Sequence, residues 1–230
     1  MENYYALIDW DGTVRSGFTI VSWAKFLVKN KIISGQIIKD LENLFDLYSK
    51  KQLTHDQLAE HSANVYANYI QGVTVDILKG QAVLFTESDR FHLINLSFKL
   101  LDYLKDRGVT LIAISGTPLE ILSQYKHLLA LSYVYALELE HFDGIYTGNI
   151  ISNPGISETK KRLAESLIKK DWQVIVAMGN SESDIPLFEA AQIRVIVNNS
   201  DLSIEGNNFK LNDEIQLKTI LDVLEAKITK

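Results

Sequence analysis

The chain contains no cysteine, which excludes disulfides, thiolate metal sites and cysteine nucleophiles. No apolar run approaches the roughly 18 to 20 residues that a membrane-spanning helix needs. The first residues place a strand and an acidic motif where a secretory leader would put basic and then apolar residues, so a cytoplasmic location without membrane contact is expected. Proline is scarce and no Gly/Ser/Pro-rich linker or internal repeat divides the chain. The formal net charge of −6 argues against a general nucleic-acid binder, because phosphate backbones are held by clustered Lys and Arg. What remains is a chain of 230 residues, 47% hydrophobic, long enough to bury a substantial core.

The most informative stretch is Asp9-Trp10-Asp11-Gly12-Thr13, which follows the apolar run Tyr4, Tyr5, Ala6, Leu7, Ile8. Side chains alternate across a strand, so Asp9 and Asp11 share one side while Trp10 turns to the other. A pair of acids at a strand tip sits where open α/β sheets hold their ligands. An Asp-Gly hairpin turn is the competing reading of these residues alone, although no second alternating strand follows Thr13.

Helical spacing covers residues 18–27, and again Ile37, Leu41, Leu44, Phe45 and Tyr48. Thr54 and Gln57 form a capping-box pattern that opens a further helix. No strand is expected between about residues 16 and 86, which marks a helical insert of about 70 residues. A helix over residues 93–107 ends at Gly108. Residues 109–114 then form a near-continuous apolar run, as in a parallel strand covered on both faces. Helix 119–131, strand 133–139, helix 160–169, strand 174–178, helix 185–191, strand 194–197 and a final helix 217–226 follow, with a short hairpin at 143–150. This alternation predicts an α/β fold, a doubly wound, Rossmann-like parallel sheet with an inserted all-helical cap domain. The core domain is placed at residues 1–15 and 87–230, and the cap at 16–86.

Three later strand ends are polar. In Ser115-Gly116-Thr117-Pro118-Leu119-Glu120, Thr117 can cap a helix, Pro118 suits its first position and Glu120 can close a capping box. The Ser115 hydroxyl and the free backbone N–H groups there suit phosphoryl oxygens. An ordinary strand-to-helix turn would look the same. Ser157-Glu158-Thr159-Lys160-Lys161 opens a helix with cations at its positive end, where the macrodipole disfavours them by about 0.3–1 kcal/mol, so a negative partner is expected. Lys160 is favoured because Leu163, Ala164 and Leu167 put it on the inward side, with Lys161 as the alternative. In Met178-Gly179-Asn180-Ser181-Glu182-Ser183-Asp184-Ile185-Pro186, Asn180 and Asp184 can both present oxygen to a metal.

Taken in order, Asp-x-Asp-Gly-Thr, Ser-Gly-Thr, Lys and Gly-Asn-x-x-x-Asp-x-Pro on alternating strands resemble the haloacid dehalogenase-like phosphohydrolase superfamily. The insert directly after the first motif resembles its subgroup that includes phosphoserine phosphatase, and Asp143-Gly144-x-Tyr146-Thr147-Gly148 is similar to a turn found in that subgroup's generic relatives. The resemblance implies Asp9 as nucleophile, Asp11 as acid and base, and Ser115 and Lys160 on the phosphoryl oxygens, with Gly116 and Thr117 beside them. It implies Mg²⁺ on the Asp9 side chain, the Asp11 backbone carbonyl and Asn180, with Asp184 as ligand or just behind. The partner implied is a small phosphorylated metabolite. Two departures stand out. Relatives mostly carry aspartate at Asn180, so weaker Mg²⁺ binding is expected. Residues 15–19 lack the acid that meets a phosphoserine amine, which disfavours phosphoserine. Arg15 and Phe18 are candidate substrate contacts by proximity, whereas His55 and His61 read as surface and the aromatic stripe of Tyr48, Tyr66 and Tyr69 as helix packing. A phosphotransferase or mutase using the same intermediate, or a silent phospho-ligand-binding protein, are the competing functions.

Overall fold

The computed structural model describes residues 4–168, 173–198, 202, 204, 206 and 208–228. Strand β1 (Tyr4–Ile8) is followed by four helices, α1 (Thr19–Lys29), α2 (Gln36–Ser49), α3 (His55–Ile70) and α4 (Val75–Asp89). Then come α5 (Asn95–Asp106), β2 (Thr110–Pro118), α6 (Leu119–Leu128), β3 (Tyr133–Phe142), β4 (Ile145–Ser152) and α7 (Ser157–Ile168). The chain continues through β5 (Gln173–Gly179), α8 (Ile185–Ala190), β6 (Ile193–Val197), β7 (Asn208–Leu211) and α9 (Glu214–Ile228).

The strands form one sheet in the order β4-β3-β2-β1-β5-β6-β7. All neighbouring pairs are parallel except β3 with β4. From β1 the chain builds outward first through β2 and β3, then through β5 and β6, so the order reverses beside β1, the point at which open α/β sheets leave a crevice at their carboxyl ends. The strand alternation is visible in the core. Ala6 and Ile8 pack into one apolar cluster with α5, α6 and the insert helices. Leu7 packs into a second cluster on the opposite face, with Ala164, Leu167, Leu187 and Phe188 of α7 and α8. Both faces of the sheet are therefore covered, as the doubly wound reading requires.

Three local expectations change. The hairpin at 143–150 is longer: its arms are β3 and β4, and only Asp143 and Gly144, with φ of 50° and 77°, form the turn. Strand β7, which pairs with β6, was not expected, because a four-residue edge strand carries almost no periodicity. The capping box at Thr117 and Glu120 does not form; β2 runs on to Pro118, which occupies the helix-cap position without a side-chain bond. The Thr54 and Gln57 capping box is present, with contacts of 2.9 and 3.2 Å. The last residue of the helix expected at 160–169 lies outside the described residues.

Hydrogen bonds fasten the helical insert to the rest of the chain at several places. Its two connecting segments pair with each other, Ser16 N–H donating to His92 and Ile94 N–H to Val14 at 2.9 and 2.8 Å. The α3–α4 turn pairs with the hairpin through Gly72, Val73 and Val75 against Tyr146 and Gly144. The start of α3 docks on the start of α7: the Ser157 N–H and hydroxyl both donate to Asp56 Oδ1, at 3.0 and 2.8 Å, and Asn153 Nδ2 donates to Ala59 O at 3.1 Å.

Candidate active site

Asp9 immediately follows β1, and its N–H donates to Met178 O of β5 at 2.9 Å, which fixes the strand tip against the neighbouring strand. Its carboxylate is buried and accepts from Lys160 Nζ at 2.8 Å and from Thr13 Oγ1 at 3.1 Å. Trp10 turns the opposite way, into the core against Tyr125. Gly12, at φ +77°, takes a backbone conformation that strains any other residue, and its lack of a Cβ lets the end of the Asn180 side chain approach, 2.0 Å from where that Cβ would lie. This close approach brings Asn180 onto the first motif, where Thr13 Oγ1 also donates to Asn180 Oδ1 at 3.4 Å.

Asp11 is held differently. Its Oδ1 accepts the Thr19 N–H at 3.0 Å and the Thr19 hydroxyl, and its Oδ2 accepts from Thr117 Oγ1 at 3.2 Å. Asp11 therefore sits at the N-terminus of α1, whose own cap residue Phe18 offers no side-chain acceptor. Burial pushes its carboxyl up to about 6, with the Thr19 hydroxyl and the Arg15 charge pulling the other way. Burial and then the Asp184 carboxylate raise Asp9, against the pull of Lys160. A carboxyl raised toward neutrality is suited to exchange a proton with a leaving group and with water.

Lys160 is buried and Lys161 is exposed, which decides between them as the inward cation. Burial would drive the Lys160 ammonium to lose its proton, but Asp184 and Asp9 outweigh it and keep Lys160 charged. The Asp184 contact is 2.5 Å. The other oxygen of Asp184 accepts the N–H groups of Asn180 and Ser181, both at 2.9 Å, and the Ser181 hydroxyl. With both oxygens engaged and no exposed surface, Asp184 orients the lysine and shapes the loop, in keeping with the expected alternative of a place just behind a metal. Ser115 is buried within β2, three residues before its end, and accepts the Thr117 N–H at 3.2 Å. Gly116 meets the loop before α7 so closely that a Cβ would lie 2.9 Å from Gly155 Cα.

Asp9, Asp11, Ser115, Gly116, Lys160, Asn180 and Phe18 line one cavity of about 960 Å³ under the helical insert. Thr117 is behind its wall, bonded to Asp11. Arg15 is not in it. The guanidinium is fully enclosed, paired with Asp89 at 2.6 and 3.2 Å, and also donates to Ser16 O and Ser22 Oγ, so the expectation that it meets substrate is corrected. His55 was read as surface but lines the cavity, edge-on to Tyr48, which lines it too. Tyr66 is core, accepting from Trp23 Nε1. No sequence signal marks Thr19 as the partner of Asp11.

The donor set fits a magnesium ion. Asp9, Asp11 and Asn180 all bring oxygen atoms to the cavity, and Mg²⁺ is commonly held by few protein oxygens together with water and phosphate. Asp9 and Asp184 share the ammonium of Lys160, Asp11 is held by neutral donors, and burial disfavours the charge of all three acids. Additional positive charge would relieve that imbalance.

The haloacid dehalogenase-like hydrolase family model matches residues 6–189. Among solved structures, a protein of unknown function from Bordetella pertussis Tohama I is similar, at 20% identity and a TM-score of 0.71, with 87% of this chain and 92% of that one covered. A phosphoserine phosphatase captured as a phospho-aspartyl intermediate analogue shares 18% identity at a TM-score of 0.63, covering 97% and 99%. A probable phosphoserine phosphatase from Vibrio cholerae shares 15% at 0.68, covering 98% and 67%. The comparison with curated proteins gave no match.

Proposed function

Because the chain belongs to the haloacid dehalogenase-like hydrolases, we propose that it is a Mg²⁺-dependent phosphatase of small phosphomonoesters that works through an aspartyl phosphate on Asp9. The observation that carries this reading is the pairing of two differently held acids at the β1 tip, Asp9 beside Lys160 and Asp11 beneath Thr19 and Thr117. Asp9 attacks phosphorus, and the ester oxygen leaves with the proton of Asp11. Asp11 then takes a proton from water as that water attacks the same phosphorus, which frees Asp9 and releases inorganic phosphate. Lys160 and Ser115 meet the phosphoryl oxygens as their charge redistributes. Mg²⁺, held by the Asp9 carboxylate, the Asp11 backbone carbonyl and Asn180, would neutralise part of the charge that two carboxylates and a phosphate bring together. The insert, residues 16–86, serves as the cap over this site, and Phe18 contributes to the substrate wall. Residues 15–19 provide no acid for a substrate amine, which disfavours phosphoserine.

The test is phosphate release from a panel of phosphomonoesters by the purified protein with Mg²⁺, against Asp9→Asn. Release by the parent that is lost in the variant is expected. No release from any ester, or equal release by Asp9→Asn, overturns the assignment.

A further inference from the structure

The cavity has a second wall that phosphoryl transfer does not use. The Phe18 and Phe45 rings lie 4.5 Å apart on it, and Phe18 is 37% exposed. Helix α3 adds His55, Leu58, Ala59 and Ser62, whose spacings of three, four and seven put them on one face of the helix. At about 960 Å³ the cavity is at the upper end of the range of about 300–1,000 Å³ that encloses drug-sized ligands. Lys51 and Glu182 also line it, and both are exposed side chains. Between the apolar groups, His55 Nδ1 and Ser62 Oγ are buried and have no hydrogen-bond partner among the described residues.

We infer, on the basis of the phosphatase reading above, that the substrate is a phosphate ester of an alcohol with an aromatic or branched aliphatic body and one hydrogen-bonding group. The body packs against Phe18, Phe45 and Leu58, and its polar group supplies the partner that His55 or Ser62 lacks. The physical reason is the cost of the alternative. An amino-acid zwitterion placed on this wall loses the hydration of two charges and gains phenyl and aliphatic faces in return. An apolar body gains by leaving water, and its single polar group meets a buried donor or acceptor that otherwise goes unmatched.

Three primary alkyl esters test this with closely similar leaving groups: 2-phenylethyl phosphate, ethyl phosphate and O-phosphoserine, each with the full-length protein and Mg²⁺. The expected kcat/KM for the phenylethyl ester exceeds that for the ethyl ester by at least about tenfold, and phosphoserine ranks below both. In Phe45→Ala the phenylethyl-to-ethyl ratio falls toward one. Hydrolysis of all three esters with a ratio near one in the parent protein, or with phosphoserine preferred, overturns the inference and leaves the phosphatase reading standing. Hydrolysis of none overturns the phosphatase reading and this inference with it.

Discussion

Removal of the Arg15 guanidinium tests whether that residue is a fastener of the insert or a substrate contact. Arg15 lies in the segment entering the insert and Asp89 at the end of α4, and each side chain is only 2% exposed. Their two contacts, at 2.6 and 3.2 Å, form a forked pair, and Tyr125 adds a hydroxyl to Asp89 at 2.9 Å. Arg15→Ala strands a buried carboxylate with one neutral donor, a change that costs about 3–5 kcal/mol. At roughly 2–4 °C per kcal/mol for a chain of this size, the melting temperature falls by about 6–20 °C. Replacing both partners, Arg15→Met with Asp89→Leu, removes the stranded charge. What remains is the lost acceptor of Tyr125 and the lost donors to Ser16 O and Ser22 Oγ, about 1–3 kcal/mol. The double variant therefore melts above Arg15→Ala, and its KM for a hydrolysed ester stays within about threefold of the parent once compared well below its melting point. Thermal denaturation and steady-state kinetics on the three proteins decide the matter. Melting of Arg15→Ala within about 2 °C of the parent refutes the fastener. A tenfold rise in KM for a double variant that melts like the parent returns Arg15 to the substrate.

Asn180→Asp restores a negative oxygen donor beside Asp9; tighter Mg²⁺ binding by calorimetry and a lower Mg²⁺ requirement for activity are expected, and an unchanged or weaker affinity argues against Asn180 as a ligand. Asp56→Ala removes the acceptor that receives the first N–H of α7, worth about 1 kcal/mol as a helix cap, so hydrogen exchange at the α7 start speeds while Asp56→Asn largely preserves protection. Unaltered exchange in Asp56→Ala would show that the docking of α3 is held elsewhere. Glu120 is buried, and burial raises its carboxyl above the ordinary range against the opposing hydroxyl of Tyr146. The folded chain then holds this proton more tightly than the unfolded chain, so stability is lost as pH rises from the unfolded value through the folded one. Glu120→Gln cannot titrate, and its melting temperature relative to the parent increases across that interval; a pH-independent difference contradicts the assignment.

What was legible in the sequence is what depends on local periodicity. Alternation along β1 placed Asp9 opposite Trp10, and the apolar spacing of α7 chose Lys160 over Lys161. The sheet followed because its strands are short apolar runs separated by helices. What was not legible depends on contacts between distant residues. Arg15 is close in sequence to the acids, yet its partner lies 74 positions away, and that pairing turns it from the cavity to the core. Asp184 offers oxygen in the right loop, but the loop folds back so that its own N–H groups and Lys160 claim both oxygens. The face of α3 that carries His55 and Ser62 has the same spacing as one packed against a core, so periodicity alone cannot tell a cavity wall from a buried seam.

Thr19 shows why this boundary matters for chemistry. A division drawn at residue 16 assigns Thr19 to the insert and Asp11 to the sheet, but the Thr19 N–H and hydroxyl both end on Asp11 Oδ1. The positive end of α1 thus bears on Asp11, the acid proposed to exchange a proton, while the neighbouring Phe18 and Ile20 line the same cavity. A displacement of α1 by substrate would change the hydrogen bonding of Asp11 at the same time as it changes the fit of the leaving group. On the proposed mechanism, selectivity and proton transfer are joined through one helical turn, and a substitution along α1 is expected to move kcat together with KM.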